Sequence, residues 1–252
     1  MNGPDRSASL RVGVVRSALN FWSSIASREG CRAATCRVLA AIAEFLRDST
    51  PERHRQRYGD VDYDWEHRVN TTSATVSCRD RLLGVFHSPY QPTEPALFHE
   101  MLHVLREQIG SDLCQFTFID LGSGKGRTLL MASDYFFRRI IGVELLPALH
   151  QAAQENICLY KSESQQCFAI ESICADATQF RFPAEPIVLY LFNPFPIAGL
   201  RHVMTNLEQS LHTAQRPFYL LYHNTILEDV LSESAAFRKI RGTHQYALYQ
   251  AR

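Results

Sequence analysis

The chain has 252 residues, 46% hydrophobic and 21% charged, enough to bury one good-sized core with further structure attached. Its formal net charge is zero, which excludes a global field drawing it to nucleic acid or a membrane surface. No apolar run approaches the roughly 18 residues of a membrane span, and the seven cysteines hold no C-x-x-C pair, so reduced thiols in a cytoplasmic protein with no membrane partner are expected. Residues 1–60 carry ten arginines against six acids, a modest excess that a solvated helix face explains without an acidic partner. The first 45 residues faintly suggest an organelle transit peptide, against which stand Asp5 and Glu29. Over residues 1–50 the pattern predicts one or two helices, with Val38, Leu39, Ile42, Phe45 and Leu46 at helical spacing and Thr50-Pro51 as the stop. From Pro51 to about Pro92 the chain is polar and turn-rich, predicting an irregular segment that closes over a site. Its Tyr58, Tyr63, Asp64 and Tyr90 would suit an amine by cation–π contact and carboxylate pairing, or would simply pack.

Beyond Tyr90 short apolar runs alternate with helical patterns. Thr93 is expected to cap a helix over Glu94–Gln108 that Gly110 ends. Strands are expected at Phe116–Leu121, Arg139–Glu144, Phe168–Cys174, Ile187–Asn193 and Phe218–His223. Helices are expected near Gly126–Tyr135, Pro147–Tyr160, Ile197–Leu211 and Ile226–Ser234, and a closing hairpin over Phe237–Tyr249. Near-continuous apolar strands alternating with helices imply a parallel sheet covered on both faces, an α/β doubly wound fold. The expected organisation is a helical extension over 1–57, a lid-like segment over 58–92 and the α/β domain over 93–252.

One motif misleads. His99-Glu100-Met101-Leu102-His103 matches the zinc-protease pattern H-E-x-x-H. Phe98, Met101, Leu102, Leu105 and Ile109 form the apolar stripe of that helix and leave both histidines on the polar side. No third ligand follows, so no metal is expected.

The chemistry concentrates in Phe118-Ile119-Asp120-Leu121-Gly122-Ser123-Gly124-Lys125-Gly126, a buried strand that enters a glycine loop and a helix. A dinucleotide site wants G-x-G-x-x-G, which needs glycine at position 127, and that residue is Arg127. Asp120 would repel a pyrophosphate at the strand end, but it suits a sulfonium and an ammonium.

Asp120-x-Gly122-x-Gly124-x-Gly126 resembles the first motif of Rossmann-like class I S-adenosyl-L-methionine-dependent methyltransferases. Three further elements match it in order: Glu144 ending the next strand, Asp176 after the third strand, and Asn193-Pro194-Phe195 after the fourth. Tyr90-Gln91-Pro92-Thr93, Asp120–Ser133, Arg138–Glu144 and Tyr190–Phe195 are similar to an uncharacterised bacterial group of that class, and Asp120–Gly124 to the non-SET histone lysine methyltransferases. The likeness covers about residues 58–252. It implies a mostly parallel seven-stranded sheet in the order 3-2-1-4-5-7-6. It also implies that Asp120, Gly122, Ser123, Gly124 and Gly126 hold the methionine end of S-adenosyl-L-methionine, Glu144 the ribose and Asp176 the adenine, with Tyr90 and Thr93 as further cofactor contacts.

Asn193 and Phe195 would address the methyl acceptor, since Asn193-Pro194-Phe195 looks like a shortened Asn-Pro-Pro-aromatic motif of amino-directed methyltransferases. The missing proline sets nucleic acid behind a nitrogen on a protein lysine or a small molecule as the acceptor. His223 and Asn224 are further candidates to face the cleft. Two alternatives stand: a silent cofactor-binding module whose basic arm recruits a partner, and an NAD(P)-dependent oxidoreductase. Oligomeric state is not legible.

Overall fold

The computed structural model describes residues 22–23, 26–27, 30–36, 39, 61–72, 92–110 and 113–252. The chain divides into two units, residues 1–59 with 75–90 and residues 60–74 with 91–252. In the first, residues 31–36 are helical, and the Thr35 hydroxyl donates to the Cys31 carbonyl at 2.9 Å while accepting from the Trp22 indole at 3.2 Å. Apart from Leu39, the stripe expected from Val38 to Leu46 lies outside the described residues, as do Tyr58 and Tyr90. Among the described residues no helix is long and apolar enough to cross a membrane.

The second unit is built on one seven-stranded sheet. Its strands are β1 (Thr117–Leu121), β2 (Arg139–Glu144), β3 (Ile170–Cys174), β4 (Ile187–Phe192), β5 (Phe218–His223), β6 (Phe237–Gly242) and β7 (Tyr246–Ala251). They lie in the order β3-β2-β1-β4-β5-β7-β6, the order expected from the sequence. β1 to β5 are parallel, and β7 runs antiparallel to both β5 and β6. The helices of this unit are α1 (Val61–His67), α2 (Pro95–Ile109), α3 (Arg127–Ala132), α4 (Pro147–Leu159), α5 (Ile197–Thr213) and α6 (Glu228–Ser232).

The central strands β1, β4 and β5 are near-continuous apolar runs because both faces are covered. Successive side chains point to opposite faces. Phe118, Tyr190 and Leu221 pack with the stripe Leu97, Phe98, Met101, Leu102 and Leu105 of α2. Ile119, Leu189 and Leu191 pack on the other face with Leu200, Val203, Met204 and Leu207 of α5. The open edge β6 exposes Arg238, Lys239 and Arg241, which discourages pairing with another strand.

Three local expectations need correction. Thr93 does not cap α2; Glu94 holds that position with extended backbone, Pro95 opens the helix, and the buried Thr93 hydroxyl bonds the Tyr190 hydroxyl at 2.8 Å instead. Gly110 ends α2 as expected, with φ +76 and its N–H on the Arg106 carbonyl at 3.0 Å. Residues 61–67, expected to be irregular, form α1, because Tyr63 joins the core and the Asp64 side chain organises the turn that follows. β3 begins at Ile170, and Phe168 is exposed rather than in the strand.

Candidate functional site

β1 delivers the chain into Gly122, Gly124 and Gly126, whose φ values of +87, +55 and +84 are all left-handed. At Gly122 space is also short, since a Cβ there would lie 2.5 Å from the Cβ of Pro194. The loop is anchored on β2, with the amides of Gly122 and Ser123 donating to the Val143 carbonyl at 2.8 and 3.1 Å. Gly142 makes room for that anchoring, because a Cβ there would stand 2.6 Å from Ser123 Oγ. Ser123 Oγ is therefore turned towards β2, buried and without a hydrogen-bond partner among the described residues.

Two acids end adjacent strands beside this loop. Asp120 is 3% exposed and Glu144 7% exposed. Asp120 Oδ2 accepts from the Thr128 hydroxyl. Burial pushes the Asp120 carboxyl up to about 7; the Thr128 bond opposes that rise and the neighbouring Glu144 charge adds to it. Glu144 Oε2 accepts from the Gly124 amide and Oε1 from the Leu146 amide, both at 2.8 Å. Burial raises its carboxyl as well, against these amide bonds. Among the described residues neither acid has an ion-pair partner. Two buried acids at adjacent strand ends, neither paired with a cation among the described residues, favour a bound cation, which would draw them into the ionised form.

The loop's other side is held by residues 61–72, a role sequence reasoning missed. Asp64 accepts from the amides of Thr71 and Thr72, each at 2.7 Å, and from both their hydroxyls. Arg127 donates to Thr71 Oγ1 at 2.6 Å and to Asp64 Oδ1 at 3.3 Å, and lies 4.9 Å from the Tyr63 ring centroid. Of the two readings open for Tyr63 and Asp64, packing is the one observed: Tyr63 joins the core and both residues hold Arg127. The signal was an unplaced arginine just after a glycine loop. Lys125 Nζ donates to Asn70 Oδ1 at 3.0 Å, and burial lowers its ammonium to about 8, with the Asp64 charge opposing.

At the ends of β4 and β5 the chain turns through Asn193 and Asn224, both left-handed at φ +45 and +57. Asn193 Oδ1 accepts from the Tyr222 hydroxyl and Nδ2 donates to the Asn224 carbonyl, so this amide ties the two strand ends together. Phe195 packs partly buried against the α5-side core. His223 stacks on Phe192 with ring centroids 3.9 Å apart and bonds the Tyr190 hydroxyl through Nδ1 at 2.7 Å. Burial pushes this imidazole down to about 4, so it is neutral at physiological pH.

The expected contacts thus split. Asp120, the three glycines, Ser123 and Glu144 converge on the ends of β1 and β2. Thr93 bonds Tyr190, which pairs in register with Asp120. Asp176 is exposed after β3 and caps the short helix Ala177–Gln179, accepting from the Thr178 amide at 2.9 Å and its hydroxyl at 2.7 Å. Leu145, a large apolar residue left exposed beside Glu144, went unremarked in the sequence. A groove of about 750 Å³ runs along α5, between Phe180, Phe182, His202 and Asn206, and none of the expected contacts lines it.

The H-E-x-x-H residues go to separate partners. His99 Nδ1 bonds the Tyr135 hydroxyl at 2.8 Å, Glu100 accepts from the Tyr246 hydroxyl at 3.2 Å, and His103 faces Glu107 at 3.6 Å.

No protein-family model matches the chain, and no curated protein does. Among solved structures it is similar to an RNA methyltransferase from Salinibacter ruber in complex with S-adenosyl-L-homocysteine, at 20% identity over 64% of this chain and 92% of that one, TM-score 0.42. It is similar to magnesium protoporphyrin IX methyltransferase from Synechocystis with bound SAM, at 12% identity over 78% and 93%, TM-score 0.45. It is also similar to a SAM-dependent methyltransferase from Anabaena variabilis, at 14% identity over 63% and 86%, TM-score 0.44.

Proposed function

We propose that the chain is an S-adenosyl-L-methionine-dependent methyltransferase. The observation that carries this reading is the pair of buried, unneutralised acids flanking a left-handed triple-glycine loop. The residues present fit that cofactor. Gly122 keeps side chains away from the loop where it passes Pro194, and Asp120 supplies negative charge suited to an ammonium and a sulfonium. Glu144 stands at the end of β2, its orientation set by the amides of Gly124 and Leu146, with lone pairs left to accept from ribose hydroxyls. Leu145 beside it offers an apolar face to an adenine ring. Asp176 keeps Oδ2 for the adenine amino group while Oδ1 serves the Thr178 cap. S-Adenosyl-L-methionine, when bound, supplies a methyl group on a sulfonium, open to in-line displacement by a positioned nucleophile.

We read the acceptor as a nitrogen on a protein or a small molecule. The turns that follow β4 and β5 present Asn193, Phe195, Asn224 and Ile226, none of them charged, together with the neutral His223 ring at the end of β5. Such a rim suits an unprotonated nitrogen. Asn193 would accept from it through the remaining lone pair of Oδ1, and Phe195 would pack on the group that carries it.

A second reading, a cofactor-binding module without transfer activity, draws support from the same Asn193 amide, already engaged at both ends. Incubation of the full chain with methyl-labelled S-adenosyl-L-methionine and cell extract, sorted into protein, nucleic-acid and metabolite fractions, separates the two. Transfer predicts label in the protein or metabolite fraction. A donor that binds yet labels no fraction would favour the silent module, and label confined to nucleic acid would overturn the acceptor assignment.

A further inference from the structure

Asn156 is a polar residue of α4 that the mechanism above does not use, and it is only 2% exposed although Gln154 and Glu155 beside it face solvent. Its side chain joins three segments. Oδ1 accepts from the Asn70 amide at 2.8 Å, and Nδ2 donates to the carbonyls of Asn70 and Lys125, each at 3.0 Å. Lys125 Nζ returns a bond to Asn70 Oδ1 at 3.0 Å. Lys125 lies between Gly124, whose amide holds Glu144 Oε2, and Gly126. Holding the Lys125 carbonyl pins the loop one residue beyond Gly124, and so narrows the conformations open to the Gly124 amide that orients the Glu144 carboxylate. A buried amide matched on both its donors is costly to unmatch, so loss of either partner strands the remaining groups.

We infer that Asn156 is a positioning residue of the glycine-loop site, which makes the docking of residues 69–72 and the conformation of Gly124–Gly126 a single event. The inference rests on the reading of that loop as an adenosyl-cofactor site. Asn156 touches no ligand itself; it acts through Lys125 and Glu144.

Titration calorimetry of the full chain with S-adenosyl-L-homocysteine tests it, using Asn156→Ala, Asn70→Pro and the double variant. Asn70→Pro removes the amide donor to Asn156, together with the Oδ1 that accepts from Lys125, from an exposed residue outside α4. Each single variant is expected to weaken binding about tenfold, and the double variant to bind no more weakly than the worse single one. A merely structural role would lower the melting temperature of the ligand-free chain while the folded protein kept its affinity. Losses that multiply would show that the two residues act independently, and unchanged affinity in both single variants would overturn the inference outright. If Asn156→Ala does not fold, undiminished affinity in Asn70→Pro alone still overturns it. Absence of binding by the unaltered chain is a different result: it removes the cofactor reading and this inference with it.

Discussion

Asp120 holds its proton up to about pH 7 because burial and the Glu144 charge both disfavour ionisation. A cationic ligand binds the ionised form, so affinity for S-adenosyl-L-methionine is expected to rise with pH through about 7 and to fall towards tenfold per unit below it. The effect on folding has the opposite sign. A carboxyl raised above its unfolded value stabilises the fold fully below about pH 4, and that contribution is lost as pH rises through about 7. Asp120→Asn keeps an acceptor for the Thr128 hydroxyl and removes the titration. It is expected to raise the melting temperature of the free protein at pH 8 while weakening the cofactor at least tenfold and flattening the pH profile of binding. Calorimetry between pH 5.5 and 8.5 checks all three, and a pH-independent affinity in the unaltered protein would contradict this role for Asp120.

Glycine serves two kinds of turn in this chain, and alanine separates them. At Gly110 a Cβ meets open space, so Gly110→Ala carries only the left-handed backbone strain of about 1 kcal/mol. At Gly122 the same strain is joined by a 2.5 Å clash with Pro194, which links the glycine loop to the turn after β4. Gly122→Ala is expected to cost at least twice as much in chemical denaturation and to abolish cofactor binding, whereas Gly110→Ala leaves binding intact. Equal losses of stability in the two variants would refute the clash. This contrast also shows why the loop is legible in sequence and its surroundings are not. Positive φ and close approach select glycine at fixed spacing, and a parallel strand covered on both faces selects an apolar run. Residues 61–72 carry no such periodicity. Their order comes from side chains finding partners far along the chain, Asp64 with Arg127 and Asn70 with Lys125, and a polar residue bound for such a partner looks like any surface residue. For the same reason Thr93 reads as a cap, although its hydroxyl serves Tyr190 on β4.

At the scale of the whole molecule, the doubly wound sheet brings the ends of β1, β2, β4 and β5 to one side, so the glycine loop and the turns after β4 and β5, the proposed cofactor and acceptor sites, share an edge although distant in sequence. The parallel covered sheet is legible because each strand–helix alternation is, whereas the strand order comes from the resemblance to class I methyltransferases. The acceptor is not, because the rim is made of short turns whose amides, Asn193 above all, are occupied with one another. What distinguishes the site from a dinucleotide fold is the buried Asp120 before the glycine loop, with no cation beside it among the described residues, and Arg127, engaged by Asp64, where a dinucleotide loop has glycine. Titration calorimetry of the full chain with S-adenosyl-L-methionine, S-adenosyl-L-homocysteine and NAD tests that distinction most directly. Saturable binding of both adenosyl compounds, lost in Asp120→Asn and Glu144→Ala, with no heat from NAD, is the predicted result. Binding of NAD, or of neither adenosyl compound, would contradict it.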